Sequence, residues 1–248
     1  GSGAPDGSET VEPTTGAPQT TAAPASDRQN PPQSAAEQSA MLKKYQEVLS
    51  GVFYDQVYPD GSSCDYDNYS SITINQFAVY DVDGDGQDEL IIQFSTSSMA
   101  GMTESVYRYN AAADSVELEL SEFPGAVYYD NGLALVGWSH NQGKGGDFWP
   151  YFLYQYLPET DGYQQVGAVD AWDRALGIEG YPDQVDRSGT GFVYYIYGDL
   201  AAEWDKVEPV DAAEYHAWLD PYLGEGEELA LPYCPLTAEN IRMIQTAG

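Results

Sequence analysis

The chain has 248 residues, with 9 lysines and arginines against 40 aspartates and glutamates, and a formal net charge of −31 at pH 7. So few basic side chains argue against binding to nucleic acid or to an anionic membrane surface, because both need clustered lysine and arginine. The apolar runs are all short, so the sequence predicts no transmembrane helix.

The first 33 residues are rich in Pro, Thr, Ser, Ala and Gly, and Val11 is their one large aliphatic residue. Such a segment buries too little apolar surface to offset the entropy it would lose on ordering, so residues 1–33 are predicted to be a disordered linker with polyproline character. Residues 34–248 are predicted to form a single globular domain, in which 36 acidic and 8 basic residues leave a net charge of −28.

The composition of this linker also indicates a compartment. A tail rich in Thr, Pro and Ser commonly spaces the body of a bacterial lipoprotein from its membrane anchor. We therefore expect an extracellular protein, anchored to the cell surface as a lipoprotein, whose membrane contact is a lipid anchor preceding this sequence. An ordinary interdomain linker is the alternative. Cys64 and Cys234 are the only cysteines, and they could form a disulfide or remain two separate thiols.

Helices are predicted at both ends of the globular part. Ser34 and Glu37 form the capping-box pattern that begins a helix. Apolar residues recur behind them at helical spacing, which predicts an amphipathic helix over 34–54. Two shorter helices are predicted over 211–219 and 237–244. Their predicted N-caps are Asp211 and Thr237.

Between these helices, short β-branched or aromatic runs alternate with turn residues, which is the pattern of consecutive hairpins. The clearest turn signals are 130–132 (Asp-Asn-Gly) and 160–162 (Thr-Asp-Gly). The predicted strands are 72–75, 77–80, 89–94, 106–109, 116–120, 127–129, 133–136, 148–157, 163–169 and 192–197. The predicted class is therefore α+β with β dominant: an antiparallel β-meander, as a partial barrel or a propeller-like sheet, with an N-terminal helix and C-terminal helices.

Residues 77–94 carry the sharpest motif of the chain, in which aspartates recur at every second position before a strand. These aspartates are Asp81, Asp83 and Asp85. Gly84 and Gly86 let the backbone curl so that the three carboxylates face one point. Such an oxygen cage suits a hard cation, and a site of seven oxygens suits calcium better than the smaller, octahedral magnesium.

The opening of this motif is that of an EF-hand loop, but an EF-hand places a bidentate glutamate at the twelfth position, where this chain has Ile92. Glu89, at the ninth position, is predicted to close the cage instead, with the carbonyl of Gln87 at the seventh. The predicted calcium loop is therefore 81–89. Its metal ligands are Asp81, Asp83, Asp85, Gln87 and Glu89. No nucleophile or general base lies near the loop in sequence, so the calcium ion is predicted to be structural.

The pattern Asp-x-Asp-Gly-Asp-Gly-x-x-Glu-Leu between two strands resembles the calcium loop of FG-GAP and VCBS-type repeats. Together with the preceding helix and the aromatic meander, it is similar to the secreted FG-GAP/VCBS-like calcium-loop lipoproteins of Gram-positive gut clostridia. The resemblance is specific over 77–94, loose over 41–130, and extends no further. It implies a calcium-binding protein exported to the cell surface. The family pattern often ends in Asp where this chain has Glu89.

A second candidate site is the loop 138–149, which combines planar rings with amide and charged groups. Its candidate ligand-binding residues are Trp138, His140, Asn141, Gln142, Lys144, Asp147 and Trp149. Such a mixture is used to recognise sugars or peptides, and the neighbouring strands 148–156 and 192–197 carry more aromatic residues than one buried face needs. A long hairpin loop without a binding role is the alternative.

These features favour a non-enzymatic, calcium-stabilised surface module that binds an extracellular glycan or protein. One alternative is a hydrolase of polysaccharide or peptidoglycan, with an Asp/Glu pair that the sequence does not single out among forty carboxylates. The other is a purely structural protein of the cell envelope.

Overall fold

The computed structural model describes residues 31–138, 143–198 and 203–244. Most of the predicted linker 1–33 thus lies outside the described residues. The described chain forms two antiparallel sheets with a helix before them and helices near the C-terminal end, which confirms the predicted β-dominant α+β class. None of its helices has both the length and the continuous apolar character needed to span a bilayer.

The elements follow the predicted order closely. The helices are α1 (Ala35–Ser50), α2 (Ala212–Leu223) and α3 (Ala238–Met243). The strands are β1 (Gln76–Tyr80), β2 (Glu89–Phe94), β3 (Thr103–Asn110), β4 (Ser115–Glu122), β5 (Val127–Tyr128), β6 (Leu133–Gly137), β7 (Tyr151–Leu157), β8 (Gly162–Asp173), β9 (Phe192–Ile196), β10 (Val210–Asp211) and β11 (Cys234–Pro235).

The predicted meander is divided between two open sheets. The first has the strand order β11-β1-β2-β3-β4 and the second the order β10-β9-β8-β7-β6-β5. Neither sheet closes into a barrel over the described chain. The predicted hairpins at 130–132 and 160–162 join β5 to β6 and β7 to β8. Gly132 and Asp161 take φ values of 81° and 49° there, the left-handed values that Asn, Asp and Gly accept in tight turns.

The N-terminal helix is set by its cap and its apolar stripe. The Ser34 hydroxyl accepts the N–H of Glu37 (3.2 Å), and the Glu37 carboxylate accepts the N–H of Ser34 (2.9 Å), so the predicted capping box is present. Met41, Tyr45 and Leu49 are buried against the first sheet. A single π-helical turn follows α1, so the helical segment ends close to the predicted boundary.

The sheets pack face to face, with helices on their outer faces. Side chains of α1 and α3 pack on the outer face of the first sheet, and those of α2 on the outer face of the second. Ile91 and Val106 of the first sheet pack with Ala134 and Val136 of the second between them. Both faces of each sheet are therefore largely covered, which explains why β2 is buried at five of its six positions.

The structure differs from the sequence-based expectation at several points; for example, β7 begins at Tyr151 and not at the predicted residue 148. Residues 72–75 do not form a strand: Ile72–Ile74 is a 3₁₀ turn, because the hydroxyl of Ser71 accepts the N–H of Thr73 (3.3 Å). Asp211 occupies the N-cap position of α2, but its carboxylate accepts hydrogen bonds from Ser188 rather than from the helix.

The predicted cap of α3 is present, and the two cysteines are free thiols. Thr237 does cap α3, through a bond from the N–H of Asn240 (3.1 Å). Cys64 and Cys234 are not bonded to each other, although both lie in the cluster beneath α1.

A buried polar contact joins the two sheets. Glu104 of β3 and Tyr128 of β5 are each 1% exposed, and the Tyr128 hydroxyl donates to Oε2 of Glu104 at 2.6 Å. Oε1 accepts from the side chain of Gln93 (2.6 Å) and the N–H of Gly125 (3.1 Å). These three groups all donate to one carboxylate that is buried away from solvent. Burial raises the pKa of Glu104.

We predict that Tyr128→Phe lowers the free energy of unfolding by about 1–3 kcal/mol, because it leaves a buried carboxylate oxygen without its donor. Urea denaturation of the two proteins at pH 7 measures this loss. Tyr69→Phe is the matched control, since Tyr69 is 93% exposed and should change stability little. Equal losses in the two variants would contradict the structural role of the Tyr128 hydroxyl.

The raised pKa of Glu104 predicts a dependence on pH. Folding favours the protonated carboxyl, so its contribution to stability is fully present below the unfolded pKa and is lost as pH rises through the folded pKa. The unfolding free energy of the wild type relative to Glu104→Gln should therefore fall as pH rises from about 4 to 8. Denaturant titrations of both proteins across this range measure the difference, and a difference independent of pH would contradict the prediction.

Candidate functional site

The connection between β1 and β2 is folded back on itself by one side chain. Oδ1 of Asp81 accepts hydrogen bonds from the N–H groups of Gly84 (2.8 Å) and Asp85 (3.1 Å), and Oδ2 accepts one from the N–H of Gly86 (3.0 Å). Gly84 and Gly86 take φ values of 79° and 92°, which other residues rarely adopt. The structure thus shows the curl that the two glycines predict.

Neighbouring elements hold this loop from two sides. Tyr45 of α1 donates its hydroxyl to the carbonyl of Asp88 (2.7 Å), and Tyr163 of β8 donates to the carbonyl of Val82 (3.4 Å). One contact comes from the helix on the first sheet and the other from the second sheet. The loop is therefore a junction at which three layers of the fold meet.

The three aspartates of the motif converge as predicted. One carboxylate oxygen from each of Asp81, Asp83 and Asp85 lies within 4.8 Å of the other two. Asp83 is 6% exposed, and its Oδ2 is buried with no hydrogen-bond donor. Burial, with the charge of Asp85, raises the pKa of Asp83 to about 8. Without a cation this carboxylate is poorly solvated in its charged form.

The two remaining predicted ligands are placed differently. Glu89 is 1% exposed, lies outside the trio's 4.8 Å group, and accepts the N–H of Val82 at 2.9 Å. Burial, with the charge of Asp83, raises its pKa well above the usual range. The N–H of Gln87 donates to Oδ1 of Asp85 at 2.7 Å, which fixes the backbone at the seventh position of the loop.

The donor set of the loop fits a hard divalent cation. Its acidic side chains offer only oxygen, which suits calcium, magnesium or manganese rather than metals that prefer nitrogen or sulfur. The orphaned Oδ2 of Asp83 is the atom whose burial a cation would compensate. Asp81, Asp83 and Asp85 would hold the ion, with Glu89 beside them.

The structure shows a second acidic group that sequence reasoning missed. One oxygen each from Asp83, Glu119 and Asp161 also lie within 4.8 Å of one another. Both carboxylate oxygens of Glu119 are buried without a hydrogen-bond partner. Burial, with the charge of Asp83, raises the pKa of Glu119 to about 9. No local motif predicts this group, because its members lie far apart in the sequence: Asp83 in the β1–β2 loop, Glu119 in β4 and Asp161 in the β7–β8 turn.

The candidate ligand-binding residues of loop 138–149 are only partly described. Those that lie outside the described residues are His140, Asn141 and Gln142. Lys144 and Asp147 are exposed, and Nζ of Lys144 lies 3.9 Å from the centre of the Trp172 ring, a cation–π contact.

The two tryptophans of this loop lie on opposite faces of the second sheet. Trp149 is 40% exposed, and its Nε1 is 2.7 Å from where a Cβ on Gly137 would be, on the face that carries α2. Trp138 instead contacts Phe152, which packs with the inter-sheet cluster. The structure therefore does not bring Trp138 and Trp149 together in one site.

Trp138 belongs to a group of four rings that we call the aromatic face, formed by Trp138, Phe152, Tyr197 and Trp204. The ring of Trp138 lies 4.9 Å from that of Trp204, and the rings of Trp204 and Tyr197 stack 4.4 Å apart at 18°. Both tryptophans are half-buried, and Nε1 of Trp138 is buried without a hydrogen-bond partner among the described residues. Trp204 lies in a segment with no motif, which is why sequence reasoning missed it.

A shallow depression of about 300 Å³ lies elsewhere, between α1 and the β3–β4 turn. Lys44, Val57 and Asp114 are among its lining residues, and it includes none of the candidate ligand-binding residues.

Comparison of the chain with protein-family models, with curated proteins and with solved structures found no match.

We predict that removal of divalent cations lowers the melting temperature, because the loop carboxylates then repel one another in a buried site. Adding calcium back should restore it. Differential scanning calorimetry in chelator and in millimolar calcium measures the shift.

Asp85→Asn should reduce this calcium-dependent shift by the part that the loop ion contributes. Glu159→Gln is the control, because it makes the same chemical change at an exposed position. If the melting temperature of the wild type were the same in chelator and in calcium, the loop would not hold a structural ion.

Proposed function

We propose that this chain is an exported, calcium-stabilised binding module that recognises an uncharged extracellular glycan on its aromatic face. The observation that carries the proposal is the cluster of four rings that includes two half-buried tryptophans, Trp138 and Trp204. Flat, partly accessible rings provide the apolar platform on which the C–H face of a sugar stacks, and nearby polar groups then orient it.

The strand beside this platform supplies such a polar group. In the second sheet Ala168 pairs with Tyr197, as the mutual backbone bonds at 3.2 and 2.9 Å show. Asp170 follows two residues later on the same side of β8, and it pairs with Tyr195 of β9. Its half-buried carboxylate and the Tyr195 hydroxyl could hold the hydroxyl groups of a sugar.

The charge of the protein supports an uncharged ligand. A net charge of −31 repels anionic polymers and leaves stacking and hydrogen bonding as the means of recognition. The calcium loop has a separate role in this proposal. It ties α1 and the second sheet to the β1–β2 hairpin, so the ion stabilises the scaffold that carries the aromatic face.

Hydrolysis is less well supported by the same structure. A glycosidase needs two carboxyl groups that reach a substrate across an accessible cleft. In the acidic group of Asp83, Glu119 and Asp161, the Glu119 oxygens and Oδ2 of Asp83 are buried, so a polysaccharide could not contact them there.

The proposal predicts that the full chain binds neutral glycans on a glycan array and that Trp138→Ala and Trp204→Ala each weaken binding by about tenfold. Trp149→Ala should bind like the wild type, because Trp149 lies on the opposite face of the second sheet. Array binding in calcium, followed by titration calorimetry with the best glycan, measures the effect.

A second control separates binding from unfolding. Tyr69→Ala removes an aromatic ring that is 93% exposed and distant in sequence from the aromatic face, and it should leave binding unchanged. If Trp138→Ala bound as tightly as Tyr69→Ala, or if no neutral glycan bound the wild type, the aromatic face would not be a glycan site. Release of reducing sugar from the bound glycan would instead favour the hydrolase.

A further inference from the structure

The acidic group of Asp83, Glu119 and Asp161 lies between the two sheets. Asp83 belongs to the β1–β2 loop and Glu119 to β4, both in the first sheet, while Asp161 lies in the β7–β8 turn of the second. One carboxylate oxygen from each of these three residues lies within 4.8 Å of the other two. The two sheets thus place negative charge against negative charge.

A β-bulge directs Glu119 into this position. Along the β3–β4 pair, Val106 pairs with Leu120 and Tyr107 with Leu118, so Glu119 is the extra residue between them. A bulge changes the direction of a side chain at the point where the extra residue is inserted. The result is that Leu118 is 55% exposed while the carboxylate of Glu119 is buried.

Three buried oxygens of this group lack hydrogen-bond donors, whereas Oδ1 of Asp83 accepts the N–H of Asp85 at 2.9 Å. Asp83 is 6% exposed and its Oδ2 has no hydrogen-bond partner, and neither oxygen of Glu119 has one. Burying a carboxylate without hydrogen-bond donors costs free energy, because the oxygens lose their solvation. Such oxygens therefore indicate a site where a bound ligand would supply the missing interactions.

Arg108, a basic side chain that contacts this group, already has other partners. Arg108 forms ion pairs with Glu117 and with Oδ2 of Asp161 (2.8 Å for the latter). Tyr156 donates its hydroxyl to Oδ1 of Asp161 at 2.8 Å. No described Lys, Arg or His forms an ion pair with Asp83 or Glu119, although the positive charge of Arg108 partly opposes the rise in the pKa of Glu119.

We infer that a divalent cation, distinct from the ion of the 81–89 loop, binds between the sheets on the oxygens of Asp83, Glu119 and Asp161. The donors are all carboxylate oxygens, which suits calcium. Asp83 is shared with the loop, so its two oxygens allow it to bridge the two ions. The second ion would fasten the β7–β8 hairpin to the first sheet. This inference extends the calcium part of the proposed function and does not depend on the aromatic face.

The test counts calcium ions on the full chain after chelator treatment, by titration against a chromophoric chelator. The wild type should bind two ions per chain. Glu119→Gln should weaken one of them by about tenfold or more and leave the other, because it removes one of three charged ligands. Asp85→Asn should weaken the loop ion and leave the second ion bound. Glu159→Gln should bind two ions like the wild type.

A second variant keeps the test valid if Glu119→Gln does not fold. Asp161→Asn changes a half-exposed residue in a turn, at a φ of 49° that asparagine accepts readily. It should weaken the same ion as Glu119→Gln and leave the loop ion in place.

The outcomes are distinct. If the wild type binds one ion that Asp85→Asn removes and Glu119→Gln retains, the loop site stands and the inter-sheet site is wrong. If the one ion needs Glu119 and not Asp85, the inter-sheet site stands and the loop proposal fails. A single ion that needs both residues contradicts a separate second site. If no ion binds and Glu119→Gln stabilises the protein, a proton shared by Asp83 and Glu119 replaces the cation and the inference is overturned.

Discussion

Several carboxylates are buried between the two sheets of this protein, where few basic side chains offset their charge. A carboxylate removed from water must receive hydrogen bonds, take up a proton or meet a cation. Glu104 meets the first condition, since three donors surround it. Oδ2 of Asp83 and both carboxylate oxygens of Glu119 receive no hydrogen bond, although they lie in the same interface. Hydrogen bonds within the protein thus satisfy the carboxylate of Glu104 in this interface, whereas oxygens of Asp83 and Glu119 remain unsatisfied.

These two arrangements of buried carboxylates have different consequences for the sandwich. The apolar cluster between the sheets provides area but little direction, because aliphatic side chains accept many relative placements. Glu104 and Tyr128 fix β3 against β5 with a directional bond. The acidic group lies where the β1–β2 loop, β4 and the β7–β8 turn meet, and repulsion there opposes the closure of the same interface. The outer faces, covered by helices, carry no comparable conflict among the residues described.

The sequence predicted those parts of the fold that depend on local chemistry. The capping box of Ser34 and Glu37, the turns at 130–132 and 160–162, and the curl at Gly84 and Gly86 each act within a few residues. The division into two sheets was not predictable in this way, because a hairpin signal is the same within one sheet or at the boundary between two. The two-residue strands β10 and β11 carry no pattern of their own, and β11 pairs with β1, a segment distant in the chain.

The candidate site shows the same limit at the level of single residues. Val116, Leu118 and Leu120 alternate with Glu117 and Glu119, which by simple alternation puts both glutamates on the side facing away from the core. The bulge reverses this halfway along the strand: Val116 packs beneath α1, whereas Leu120 faces the second sheet. A bulge depends on the pairing of two strands, so β4 alone could not reveal that Glu119 points inward.

If cations bind to the acidic group, the stability of the folded protein depends on the calcium concentration. Each ion that binds only the folded chain adds RT ln(1 + [Ca]/Kd) to its stability, about 2.7 kcal/mol at a hundred times Kd. Two ions that share Asp83 would draw on the same negative charge and repel each other, so the second ion would bind more weakly than the first. The same acidity that weakens the calcium-free sandwich would then make its stability respond steeply to calcium. Because the ions lie at the junction of α1, the first sheet and the β7–β8 hairpin, that response would extend to the second sheet, whose face carries Trp138 and Trp204.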